Sequence, residues 1–113
     1  MNTERHRKKL LTDILQAIEE IDLFFEGTRS FETYKNDLKL RKAVERELEI
    51  IGEAMSRLLE LESEVAITDS RKVVNLRNRI IHGYDNVVDE VIWGVLSKHI
   101  PTLKTEVIQL LEQ

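Results

Sequence analysis

A chain of 113 residues, 34% of them charged and 42% hydrophobic, is the size of one compact domain and too short to divide into two with separate cores. Its net charge of −4 excludes a protein that coats nucleic acid by bulk electrostatics, and the lack of cysteine excludes a disulfide frame, a zinc ribbon and a thiol nucleophile. One proline and four glycines are too few turn residues for an all-β fold, so the expectation is a single all-α domain over residues 1–113.

In chain order, the first element is a helix over Thr3 to Phe25, because Leu10, Ile14, Ile18, Ile21 and Phe25 recur at the steps of one buried helix face. The basic group Arg5, His6, Arg7, Lys8 and Lys9 at its start reads as a solvated helix beginning. "EGTRS" then supplies a glycine stop and Ser30 as a cap for a short turn of helix holding Phe31 and Tyr34, after which Asn36 and Asp37 offer a fresh start. A long helix runs from there to about Leu61. Its seam of Val44, Leu48, Ile51, Met55 and Leu58 fits a core helix packed nearly antiparallel to a neighbour.

Gly52 interrupts that helix at a propensity cost of about 1 kcal/mol relative to alanine. The expectation is that another backbone or side chain comes close there, with Glu53 beside it partly buried. "ESEVAITDS" is a connection with Thr68 or Asp69 as cap, followed by a helix carrying Val73, Val74, Leu76, Ile80 and Ile81 up to Gly83. A last helical stretch begins after "YDNV" and holds Val91, Val95, Leu103, Val107 and Leu110, with Pro101 either kinking it or opening a separate helix. No apolar run approaches the ~18 residues needed to span a bilayer, and no apolar stretch follows the charged N-terminus as in a signal peptide, so a cytoplasmic protein is expected.

Charge is unevenly spread. Glutamate is concentrated between Glu45 and Glu64, whereas Ser70 to Tyr84 holds Arg71, Lys72, Arg77 and Arg79 and no acid. That positive island contains "LRNRIIHGYD". On an ideal helix Arg77 and His82 lie roughly 140° apart and cannot converge along one straight rod. Asn78 and His82 share a face at i and i+4, so the amide could orient the imidazole. Convergence of Arg77 with His82 needs the helix to loosen at Gly83, or a second copy of the segment across a two-fold axis. Such a cleft suits RNA cleavage, with His82 as base or acid, Arg77 on the phosphorane, Arg79 along the backbone and Tyr84 on a phosphate or a base. The same residues also suit an ordinary solvated helix end or cap. His6 and His99 read as structural, and no His and carboxylate grouping has metal-ligand spacing.

"RNRIIHGY" resembles the Arg-x4-His-x-Tyr signature of HepT-type toxins in the HEPN superfamily. "DILQAIEEIDLFFEG" at 13–27, "AVERELEIIGEA" at 43–54 and "VIWGVLSKHIPTLKTEVIQLL" at 91–111 resemble its first helix, central helix and C-terminal region. The resemblance implies an antiparallel bundle of about four to five helices that forms a homodimer and acts as a metal-independent endoribonuclease with no cofactor. It further implies that Arg77 and His82 are the catalytic pair, with Asn78 at the polar position after the arginine. Its partner would be a minimal nucleotidyltransferase antitoxin that attaches AMP units to Tyr84. Many relatives carry a Pro-Trp pair before the motif helix, where this chain has "VAITDSRKVVNL". Trp93 is no substitute, and its expected role is core or dimer packing. Two further readings stay open: a non-catalytic nucleotide- or substrate-binding subunit of a nucleotidyltransferase, and a helical interaction module without chemistry.

Overall fold

The computed structural model describes residues 2–25, 30–82 and 89–113, residue 82 by its backbone alone. The expected stop at Gly27 and the Gly83–Tyr84 end of the motif lie outside the described residues. Helix α1 (Asn2–Phe24) buries Leu10, Leu11, Ile14, Ala17, Ile18 and Ile21, and Phe25 follows in a turn and is buried with them. Helix α2 (Phe31–Asn36) is capped by Ser30, whose Oγ accepts the Thr33 N–H at 3.4 Å. Helix α3 (Leu38–Leu61) starts at Asp37, whose carboxylate accepts the Leu40 N–H at 3.0 Å. Each cap satisfies an amide that the first helical turn leaves without a partner, an effect of ~1 kcal/mol.

The predicted seam of α3 is the centre of the molecule: Val44, Ile51, Met55 and Leu58 are fully buried. Removing each from water contributes about 1.5 to 3 kcal/mol, so truncating any of them to alanine would open the core. Helix α3 packs against α1 and against α4 (Ser70–His82), and α6 (Ile100–Leu111) packs against α1. Ion pairs tie these layers at their ends, Arg7 Nε to Glu62 at 2.7 Å and Lys104 Nζ to Asp22 at 3.2 Å.

Two local expectations need correction. Thr68 does not cap α4: its N–H and hydroxyl both donate to the Glu106 carboxylate, at 3.0 and 2.7 Å, and so tie the connection to α6. Asp69, the other candidate, does stand at the cap position, with φ 56° and its carbonyl accepting the Lys72 and Val73 amides. The apolar face of α4 is also thinner than its sequence suggests. Leu76 alone is buried there, Val73, Val74 and Ile80 are half-buried, and Ile81 is exposed, because among the described helices α3 is the one packed extensively against it.

Pro101 stands in the first turn of a final helix, α6, as one of the two expectations had it. Helix α5 (Asp89–Gly94) passes into a π-helical turn, Val95–His99, and on into α6 without interruption. The Ile100 N–H reaches back to the Val95 carbonyl. Widening the turn just before Pro101 makes room for a ring that would otherwise press on the preceding turn, and the missing proline N–H falls where a helix start needs none. Trp93, on α5, packs into an aromatic cluster with Phe25, Phe31 and Tyr34 at centroid separations of 5.8, 5.9 and 6.0 Å. Its role is core packing. No described helix is long and apolar enough to cross a membrane.

Candidate functional site

Helix α4 comes close to α3 where Arg77 crosses Gly52. A Cβ built on Gly52 would come within 2.3 Å of the Arg77 Cβ and 2.9 Å of its Cγ. Neither atom is the mobile end of the side chain, so any larger residue at 52 must push the two helices apart. This is the close approach that the glycine in the middle of a strong helix foretold.

Laid over Gly52, the Arg77 stem is largely covered, and its side chain is 28% exposed. The guanidinium then reaches Glu53 on the same turn of α3, with Nη2 2.8 Å from Oε1. Nη1 donates to Oδ1 of Asn78 at 3.2 Å, and Nε is buried with no hydrogen-bond partner. Glu53 is itself bridged: its other oxygen accepts from Arg57 Nε at 2.8 Å. The Arg57 hydrogen bond, with the Arg77 charge adding to it, holds the Glu53 carboxyl below the ordinary glutamate value against the opposing effect of burial. A continuous network therefore runs Arg57, Glu53, Arg77, Asn78. It fixes the arginine fork in place while leaving the second N–H of each Nη nitrogen for an incoming oxygen anion.

Arg57, Glu53 and Arg77 of this network line an open groove of about 760 Å³ between α1, α3 and α4. Ile50 and Ile81 form an apolar part of its wall, and His6, Lys9 and Arg57 line it from α1 and α3. His6, read from the sequence as part of a solvated helix start, thus shares a groove with Arg77. Only the packing of α1 against α3 brings it there, and no local pattern could have signalled it. Glu53 was legible as a half-buried carboxylate beside Gly52; that it holds Arg77 was not.

The motif residues are only partly brought together. Arg77 and Asn78 form one unit, and Asn78 turns its carbonyl oxygen to Arg77. Arg79 is exposed and lines a different cavity, between α4 and the C-terminal helix. Helix α4 continues through His82, so it does not loosen between the arginine and the histidine, and their positions stay roughly 140° apart around its axis. The His82 side chain and Tyr84 lie outside the described residues. Among the described residues no cluster of three or more His, Asp or Glu side chains could hold a metal ion.

Residues 14–110 match the family model described as ribonuclease HepT-like. The chain is similar to a probable ribonuclease HepT of Thermococcus cleftensis, 37% identical over 107 residues that cover 89% of this chain and 92% of the relative. It is 34% identical to a candidate RNase of Caldanaerobacter subterraneus subsp. tengcongensis, over 91% of this chain and 92% of that one. A candidate RNase of Methanocaldococcus jannaschii is 29% identical, over 93% and 87% respectively. No solved structure matches the chain.

Proposed function

The chain belongs to the ribonuclease HepT-like family, and from that premise we propose that it is a metal-independent endoribonuclease, the toxin of a toxin–antitoxin pair, whose active site joins Arg77 of one copy to His82 of another. One observation carries the reading: Arg77 is held rigidly at a groove by Glu53 and Gly52, on a helix whose unbroken course keeps His82 off the arginine's face. A fixed guanidinium beside an open groove suits an anionic transition state, because the cation need not reorganise as charge develops. A two-fold axis relating paired α4 helices would bring the second chain's histidine opposite that arginine.

In the proposed reaction one imidazole takes the proton of an RNA 2′-hydroxyl, and O2′ attacks the adjacent phosphorus. The bond to the leaving 5′ oxygen breaks, that oxygen is protonated by a second acid, and a 2′,3′-cyclic phosphate remains. Arg77 donates to the non-bridging oxygens as the phosphorane forms. Asn78 keeps the arginine fork in plane. The partner in the cell is a nucleotidyltransferase antitoxin that attaches AMP to Tyr84, two residues beyond His82. The added phosphate would bring negative charge and bulk to the place where RNA phosphate must sit. The protein is taken to work in the cytoplasm.

The test is incubation of the purified protein with a mixed RNA or tRNA pool in excess EDTA, beside Arg77→Ala and His82→Ala. Cleavage that survives EDTA and disappears in both variants supports the proposal. RNA left equally intact by all three proteins would make this a binding subunit. For the regulatory half, Tyr84→Phe should stay toxic in cells that express the cognate antitoxin, and normal growth of such cells would count against modification at Tyr84.

A further inference from the structure

On the side of α4 away from Arg77 lies a second cavity, of about 270 Å³, between that helix and the C-terminal helix. Its floor is apolar, built by Leu48, Leu76, Val95, Ile100 and Leu103. The π-helical turn makes one wall through Val95 and His99, and such turns recur at functional sites because they displace side chains from the regular helical register. The mouth is charged: Lys72, Arg79 and His99 stand around it with Asp69.

The polar side chains at this mouth are only loosely paired within the fold. Lys72 and His99 approach the Asp69 carboxylate only to 3.8 and 3.9 Å, beyond hydrogen-bond length. Arg79 is exposed and makes no hydrogen bond or ion pair with a described residue. In a chain of net charge −4, an apolar pit with this rim is complementary to a ligand with an apolar body and an anionic group. Asp69 and the Asn75 amide, also at the cavity, narrow the choice. An aliphatic anion would leave both facing methylenes, whereas the edge of a base offers each a partner. The volume lies near the ~300 Å³ lower end of small-molecule sites, which suits a single planar ring system.

Register connects this cavity to the proposed active site. Lys72, Leu76 and Arg79 follow at steps of four and three along one face of α4, and Arg79 stands three residues before His82, so the two positions are neighbours on the helix. We infer that the cavity receives the base of a nucleotide, with Arg79 and Lys72 on its phosphate, and that in an RNA strand this is the nucleotide next to the phosphodiester at His82. The strand placement rests on the ribonuclease reading; the binding of a nucleotide does not.

The test is titration of isotope-labelled protein with AMP, GMP, CMP and UMP, followed by NMR. Ribose 5-phosphate serves as the ligand without a base, octanoate as the apolar anion without one, and a 2′-deoxy trinucleotide as a strand that cannot be cleaved. The signals of Val73, Leu76 and Val95 should move with at least one mononucleotide and not with ribose 5-phosphate or octanoate at the same concentration. Binding should weaken at least tenfold in Val95→Phe, which fills the cavity, and in Arg79→Gln, an exposed change that leaves the fold intact. Mononucleotides that move none of these signals, that bind both variants as well as wild type, or that are outdone by octanoate would overturn the inference. Tighter binding of the trinucleotide than of its mononucleotides assigns the site to a strand, and weaker binding overturns that placement. RNA cleavage is scored separately: cleavage without nucleotide binding removes only this inference, while nucleotide binding by a protein that never cleaves RNA keeps it and removes the ribonuclease reading.

Discussion

Two glutamates on α3, six residues apart, meet opposite fates. Glu53 stands at the groove, half-exposed, between Arg57 and Arg77, and these cations keep it ionised. Glu47 is 6% exposed, with Oε1 buried and unpaired. Burial, and then a hydrogen bond and like charge from Glu20 on α1, push its carboxyl up to about 7, with only Arg46 pulling the other way. The same side chain on the same helix is thus held toward its ionised form in one place and toward its neutral form in the other. What separates them is their partners: Glu53 faces the basic helix α4, and Glu47 faces the acidic flank of α1. A motif arginine can be held in position only in the first setting.

The largest expected effect on that contrast comes from removing its cation. Arg77→Ala should lower RNA cleavage at least about 100-fold with little change in melting temperature, as single-turnover rates and thermal unfolding would record. Gly52→Ala comes next: forcing a methyl against the Arg77 stem should cost about 1 to 3 kcal/mol by denaturant unfolding and lower cleavage as well, since α4 must shift. Glu53→Gln keeps the shape and removes the charge, so cleavage should fall about tenfold through a misplaced guanidinium while stability barely moves. If that variant cleaves at the wild-type rate, Glu53 does not position Arg77.

Glu47→Gln is the counterpart and the smallest effect. It should leave cleavage unchanged and raise stability by about 1 kcal/mol at pH 8. Its sign follows from the raised value. Ionising Glu47 costs the folded state, so the stability it permits is full below the ordinary glutamate value of 4.5 and is lost as pH rises to about 7. Wild type should therefore melt lower at pH 8 than at pH 5.5 by more than the glutamine variant does. Equal pH dependence in both proteins would remove Glu47 from the account. Glu53, held low, works the other way, supporting the fold above its ordinary value and ceasing to as the pH falls into the acid range.

Much of this molecule is written in local pattern. The faces of α1 and α3, the caps at Ser30 and Asp37, and the close approach at Gly52 all follow from spacing and residue type. The failures share a cause, which is contact between residues distant in sequence. Thr68 serves Glu106 instead of α4, 38 positions away. The exposed Ile81 looks like a core residue until α3 is found to be the one described helix packed extensively against α4. The hold of Glu53 on Arg77 comes likewise from another helix. The π-helical turn before Pro101 resolves a choice the sequence left open, by a geometry that no periodicity encodes.

Helix α4 runs unbroken and keeps the positions of Arg77 and His82 roughly 140° apart around its axis, and the proposed active site accordingly takes one residue from each of two chains. Mixing inactive Arg77→Ala and inactive His82→Ala proteins and letting their subunits exchange tests it most directly. A site shared between copies predicts that cleavage returns, to about a quarter of the wild-type rate when half the dimers are mixed and each mixed dimer carries one intact site of two. A mixture that stays as inactive as either variant, with exchange confirmed by mass spectrometry of the intact complex, would contradict it.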